Sequence, residues 1–276
     1  MKALRFTFIF FILFLQQTLS ANPIICEGTY DRHLQGITAH DGFIYWSWTT
    51  SIVKTDMNGK ILKSTPVNPK LHIGDLCCAY GKIYAVVNKG RFDIPDGKSA
   101  DNKIFVYDFD LNFKKQYNVQ DQIYGAGAIS FAHDKFYVGG GLPKGADIEK
   151  FAHVYVYDNN FNLIKVSPLP ARDTLYGIQT IAFDGEKFYM GCYTNKPEQK
   201  YAYTKIVNAN LDYKGNLPIF TAVGIEILGK DKDGANLWLI ATNNNPTKAK
   251  HGNDAYVEIY KEIAADKLEL YNKKSD

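Results

Sequence analysis

The sequence predicts an all-β fold, a five-bladed β-propeller with four antiparallel strands per blade. Three observations carry that prediction. A short pattern recurs five times, starting at His33-Leu34-Gln35-Gly36-Ile37, His72-Ile73-Gly74-Asp75-Leu76, Gly125-Ala126-Gly127-Ala128-Ile129, Gly177-Ile178-Gln179-Thr180-Ile181 and Gly224-Ile225-Glu226-Ile227-Leu228. Each copy leads through a tight turn into a second apolar stretch rich in Tyr or Trp. The spacing of roughly 40 to 50 residues between copies is that of propeller blades.

Within a copy the recurring opening is the innermost strand. The second strand follows at Asp41-Gly42-Phe43-Ile44-Tyr45, Tyr80-Gly81-Lys82-Ile83-Tyr84, His133-Asp134-Lys135-Phe136-Tyr137, Gly185-Glu186-Lys187-Phe188-Tyr189 and Gly234-Ala235-Asn236-Leu237-Trp238. Gly, Asn and Asp supply the positive φ values that short hairpins need. Third strands read as Ile52 to Thr55, Ile104 to Asp108, Val154 to Asp158, Lys205 to Asn208 and Tyr256 to Tyr260, by their alternation of apolar and polar residues. Fourth strands are weaker and follow turns such as Asp56-Met57-Asn58-Gly59, Asp110-Leu111-Asn112 and Asn159-Asn160-Phe161-Asn162.

These turns are not calcium loops. Asp108, Asp110 and Asn112 alternate oxygen ligands but lack the Gly and the distal Glu of an EF-hand. The aromatics that end each second strand are expected to pack blade against blade, because flat sheets need large apolar area between them. The last blade is expected to lie beside residues Ile24 to Tyr30 from the amino terminus, with Leu268 to Tyr271 as the competing closing strand.

The start of the chain reads as an export signal. Lys2 and Arg5 precede an apolar run from Phe6 to Leu15, and Thr18 to Ala21 are small. The expected arrangement is a removed signal at 1–21 and a single propeller domain at 22–276, in a secreted or periplasmic setting. Asn22-Pro23-Ile24-Ile25 before Cys26 lacks the small residues of a lipid-attachment site. No other segment nears the roughly 20 apolar residues of a membrane span, so no stable membrane insertion is expected after signal removal.

A formal net charge of +3 with no basic block argues against nucleic acid as a partner. Four cysteines in an exported chain permit disulfides, but the adjacent Cys77 and Cys78 point to opposite faces of a strand. They read as small buried hydrophobes, with a bridge from Cys26 left open.

In such a blade, the start of strand one, the end of strand two and the start of strand three share one face. The strand-two-to-three loops, Asn88 to Asn102, Gly139 to Ala152, Tyr193 to Tyr203 and Asn243 to Asp254, are the long ones and gather there. Aligned copies place His33, His72, Gly125, Gly177 and Gly224 at one ring position around the channel. Gln35, Gly74, Gly127, Gln179 and Glu226 fall two residues on, with Asp75, Tyr124 and Tyr176 beside them. The glycines are expected to leave room while the polar groups converge, since such polar groups cost desolvation unless paired or used.

As an enzyme the site would use His33, His72, Asp75, Tyr176 and Glu226 for catalysis, by acid–base work or with Asp75 and Glu226 as a glycosidase pair. Ligand contacts fall to Gln35, Tyr124, Gln179, Asn88, Tyr193 and Asn243. His33, His72, Gln179 and Glu226 form a donor set suited to a divalent metal such as Mn, Zn or Fe, although no His-Glu-x-x-His spacing supports one. His40, His133, His153 and His251 read as structural or surface residues. Serine catalysis lacks a Gly-x-Ser-x-Gly elbow, and no dinucleotide fingerprint or phosphate loop is present.

The paired histidines, Gly-rich strand entries and repeated Gly/Asp-Lys-apolar-Tyr hairpins resemble exported bacterial β-propeller proteins of unassigned activity, over essentially the whole mature chain. More distantly the site is similar to that of propeller polysaccharide lyases. That resemblance implies central sites using His and Gln around a metal, or His and Tyr without one, with His33, His72, Gln179 and Tyr176 as the matching positions. Two function classes follow: a carbohydrate-directed lyase or hydrolase, and a non-catalytic propeller binding a glycan or small molecule, with Trp46, Trp48 and Tyr193 as stacking platforms. Burial between blades is the competing fate of both tryptophans.

Overall fold

The computed structural model describes residues 22–92, 94–95, 97–142, 151–170, 175–193, 204–243, 254–264 and 267–271. The expected signal, 1–21, and His251 lie outside the described residues. After a short first strand, β1 (Ile24–Ile25), blade one is formed by β2 (Leu34–His40), β3 (Phe43–Trp48), β4 (Ser51–Asp56) and β5 (Ile61–Ser64). Blade two is β6 (His72–Ala79), β7 (Lys82–Asn88), β8 (Asn102–Tyr107) and β9 (Phe113–Asn118). Blade three is β10 (Ala126–Ala132), β11 (Lys135–Gly140), β12 (Phe151–Tyr157) and β13 (Leu163–Pro170). Blade four is β14 (Leu175–Phe183), β15 (Lys187–Tyr193), β16 (Thr204–Asn208) and β17 (Tyr213–Leu217), and blade five is β18 (Ile225–Lys230), β19 (Asn236–Asn243), β20 (Ala255–Ala264) and β21 (Lys267–Leu270). Each is an antiparallel meander. The five-bladed propeller is therefore the fold.

The core lies between blades rather than within them. Tyr45, Tyr84, Tyr137, Tyr189 and Trp238 are each the third residue of their second strands, which run on past them, and all are buried. Ring centroids of Tyr84 and Phe136 lie 4.6 Å apart, those of Tyr137 and Phe188 4.5 Å, and those of Tyr189 and Trp238 4.5 Å, each pair joining neighbouring blades. Trp46 and Trp48 are fully buried, Trp48 stacked beneath Tyr30. They are core residues, and the expected stacking role at a ligand falls away.

The third-to-fourth-strand turns are held by their own side chains. Asp108 Oδ1 accepts from the Asp110 and Asn112 amides, and Asp56, Asp158 and Asn208 repeat that arrangement in the other blades. An oxygen engaged by two amides closes a turn, and the expectation of structural turns stands. All four cysteines are free thiols, three of them buried, so the open bridge from Cys26 does not form.

The ring closes with the amino terminus. Ile24 and Ile25 pair with Val257 and Tyr256 of β20, while β21 pairs with the far part of the same strand. Cys26 N donates to Ala255 O in blade five, and Glu27 N donates to Gly59 O in blade one. One short segment thus ties the last blade to the first, as expected, and Leu268 to Leu270 adds a second partner rather than replacing it.

Candidate functional site

The innermost strands are not regular. In β2 the pairing skips Gln35, in β6 two residues, Gly74 and Asp75, oppose Val86 alone, in β10 it skips Gly127, and in β14 it skips Gln179 and, before it, Tyr176 and Gly177. A bulge re-aims its side chain and bends the strand. Four blades therefore turn the same ring position toward the channel mouth, and two of those positions carry an amide.

Blade five departs from this pattern. Its bulge comes later, at Leu228, and Glu226 pairs opposite Leu239. Measured from the aromatic of strand two, Glu226 sits level with Ile37, Leu76, Ile129 and Ile181 rather than with Gln35 and Gln179. Aligning short repeats by residue type cannot see a displaced bulge, and that is why the sequence reading raised Glu226 to the mouth.

At the mouth, Gln35 is buried and its Nε2 donates to His33 Nε2 at 2.8 Å and to Thr49 Oγ1 at 3.1 Å. An imidazole nitrogen that accepts carries no proton, so His33 is held neutral. Burial, with a smaller contribution from Arg32, lowers its pKa. His72 is driven down to about 4 by burial, then by the neighbouring His33 and Arg32. Its ring stacks on Phe92, with centroids 5.0 Å apart. Gln179 donates to the carbonyl of Tyr176, which takes a left-handed φ of 62° to reach it. The structure thus brings His33, Gln35 and His72 together.

Other expected residues serve the scaffold. Asn88 Oδ1 accepts from the amides of Gly90 and Asp101, pinning both ends of its loop. Asn243 Oδ1 accepts from Leu34 N and joins blade five to blade one. Tyr193 packs on Phe220, and burial pushes its phenol up to about 12. Tyr124 is half-buried, its ring facing Gly97. His40 stacks on Phe109 and pairs with Asp41, His133 meets the Phe183 ring edge-on, and His153 lies beside Tyr155. These last three keep the structural or surface roles expected of them.

Asp75 is the centre of the channel. It is 1% exposed, and its Oδ2 accepts from Ile181 N at 3.0 Å and, more weakly, from Ile129 N at 3.4 Å. Its other oxygen presses on Gly36, where any β-carbon would collide with it. A blade-two carboxylate therefore touches blades one, three and four. Complete burial outweighs the amides and holds its pKa well above the usual carboxylate range.

Glu226 lies toward the hairpin end of the channel. Thr38 Oγ1 donates to its Oε2 at 2.5 Å, and its own strand supplies Ile227 N to Oε1 at 2.8 Å. Gln35 and Thr38 are three residues apart on β2, about 10 Å along a strand. Glu226 is therefore remote from the His33 and His72 pair, which corrects the proposed metal set. Among the described residues no three His, Cys, Asp or Glu side chains come together as a metal site. Burial raises Glu226 to about 7, although its side chain keeps some exposure through a small cavity.

The glycines do not leave an open pocket. The space at Gly125 is taken by the Phe92 ring, that at Gly177 by the backbone of 140–142, and that at Gly74 by Gly127 O and Val86. Their role is close approach of neighbouring inner strands. Phe92, missed by the sequence reading, lies on the Gly125 shelf beside His72. The only signal for it was its place in a long Gly- and Pro-containing loop.

No family model matches the chain, and no curated protein matches it either. Solved structures do resemble it. A GH43 β-xylosidase/α-arabinofuranosidase from a compost microbial metagenome, crystallised with xylotriose, superposes with a TM-score of 0.61 at 10% identity, over 91% of this chain and 96% of that one. A GH43_1 enzyme from Xanthomonas citri gives 0.60 at 12% identity, over 91% and 93%. A putative exo-β-1,3-galactanase from Bifidobacterium bifidum gives 0.58 at 12% identity, over 94% and 93%. The likeness is one of fold.

Proposed function

We propose that the protein is an exported propeller that binds a saccharide at the loop-side mouth of its channel, through His33, Gln35, His72 and Gln179. The observation that carries this reading is a cluster of neutral polar side chains at the mouth, with Arg32 the charged group beside it. Both imidazoles are held neutral by burial, the Gln35 amide bonds to His33, and Phe92 offers an apolar face beside His72. Neutral donors and acceptors next to an aromatic ring match the alternating hydroxyl and C–H surfaces of a sugar. The structural neighbours, xylosidase, arabinofuranosidase and galactanase by their descriptions, supply the probes to try first.

A second reading rests on the same imidazoles. A neutral histidine can accept a proton, so His33 or His72 could serve a lyase without any carboxylate pair. A two-carboxylate hydrolase is less well supported, because Asp75 is committed to backbone amides and Glu226 faces the other end. The export reading rests on the apolar start of the chain.

The test is calorimetric titration with neutral xylo-, arabino- and galacto-oligosaccharides and with acidic ones, each incubation also assayed for unsaturated products. Wild type should bind, and His33→Ala/His72→Ala should bind about tenfold or more weakly, the worth of one or two lost hydrogen bonds. Turnover abolished in the double variant would favour the lyase. Failure of every saccharide to bind would overturn the proposal.

A further inference from the structure

The hairpin end of the channel holds a concavity of about 130 Å³. Thr38, Cys78, Ser130, Phe131, Phe183 and Glu226 line it, drawn from all five blades' inner strands when Thr38, Cys78, Ser130, Phe183 and Glu226 are taken in turn. Its polar groups form a relay. The Thr38 hydroxyl spends its proton on Glu226, and at 3.5 Å from Cys78 Sγ its oxygen is free to accept the thiol proton. Burial pushes the Cys78 thiol up to about 12, so that proton is present.

Ser130 stands apart from the relay. It is 5% exposed and lines the cavity. Its hydroxyl can donate to or accept from a group in the cavity. Glu226 is the acid in the lining, and among the described residues no Lys, Arg or His lines the cavity with it. The cavity therefore favours a cation. A metal ion is disfavoured, because the donors do not group as a metal site among the described residues.

We infer that this cavity is a binding site for a small organic ammonium ion, with Glu226 as counter-ion, Thr38 and Ser130 as hydrogen-bond partners, and the Phe131 and Phe183 rings as apolar walls. Aromatic rings attract ammonium groups through their quadrupoles, most strongly where water is excluded. The cavity, at about 130 Å³, has room for a small head group. The site is independent of the saccharide mouth.

The experiment titrates the protein with methylammonium chloride and with tetramethylammonium chloride, against sodium chloride, following amide chemical shifts by NMR. Saturable shifts confined to residues around Thr38, Ser130 and Glu226 are expected. Glu226→Gln should weaken binding about tenfold or more, as loss of a charge-assisted partner does. Ala39→Leu, which fills the cavity and leaves the carboxylate in place, should abolish it. A thermal melt checks that each variant folds, and Ala39→Leu decides should Glu226→Gln fold poorly. No saturable shift with either ion, or binding unchanged in a folded variant, overturns the inference.

Discussion

Asp75 shows at the scale of one residue how a plausible catalytic acid can be a structural one. Its carboxylate accepts amides of Ile129 and Ile181 from two neighbouring blades and excludes any side chain at Gly36 of a third. Asp75→Ala should leave both amides buried and unpaired, at a cost of about 3 kcal/mol. Asp75→Asn can present its carbonyl oxygen to both and should lose only about 1 kcal/mol. Urea unfolding at constant m measures both. Equal stability of the two variants would refute the structural assignment. Asp75 was legible in the sequence as a polar residue at the channel. Its duty was not, because three of its neighbours, Gly36, Ile129 and Ile181, come from other repeats and nothing in a single copy marks them.

Among the elements, strands and hairpins were legible because period-two alternation and turn residues are local, and so was the amino-terminal segment beside blade five. The bulges were not. A single extra residue in β2, β6 and β10, two irregularities in β14, and the displacement of the bulge to Leu228 in β18 leave the repeat readable while moving Glu226 toward the other end of the channel. Closure of the ring yields a sharper prediction. Ile24 and Cys26 are buried between blades five and one, and the backbone of 24–27 bonds to both. Deleting residues 22–27 should remove about 3 kcal/mol of apolar burial and lower Tm by about 6–12 °C. Deleting 267–271, where Lys267, Glu269 and Leu270 are exposed, should cost clearly less. Scanning calorimetry of the two truncations compares them, and the reverse order would mean that β21, not β1, holds the ring.

Across the whole molecule, the two ends of the channel carry buried groups whose protonation works in opposite directions. Glu226 rises from 4.5 to about 7 in the fold, so its neutral form is favoured, and the stability it contributes below pH 4.5 is lost as pH climbs to about 7. Asp75, raised by the same cause, acts with the same sign. His72 falls from 6.5 to about 4, so its contribution is complete above pH 6.5 and is lost as pH drops toward 4, with His33 acting alongside it. Each of the two large shifts corresponds to about 3 kcal/mol across its window. Between pH 4.5 and 6.5 they oppose each other, and the wild-type stability curve should be shallow there. The turn carboxylates Asp56, Asp108 and Asp158 are held below their ordinary 3.8 and act mainly under this range. Single substitutions should therefore unmask opposite slopes: Glu226→Gln stability should rise from pH 4.5 to 6.5, while His72→Gln stability should fall over the same interval. Urea midpoints at half-unit pH steps would show it. Parallel curves for the two variants would mean that neither group is held in its neutral form, and the neutral imidazoles on which the saccharide reading rests would have to be abandoned.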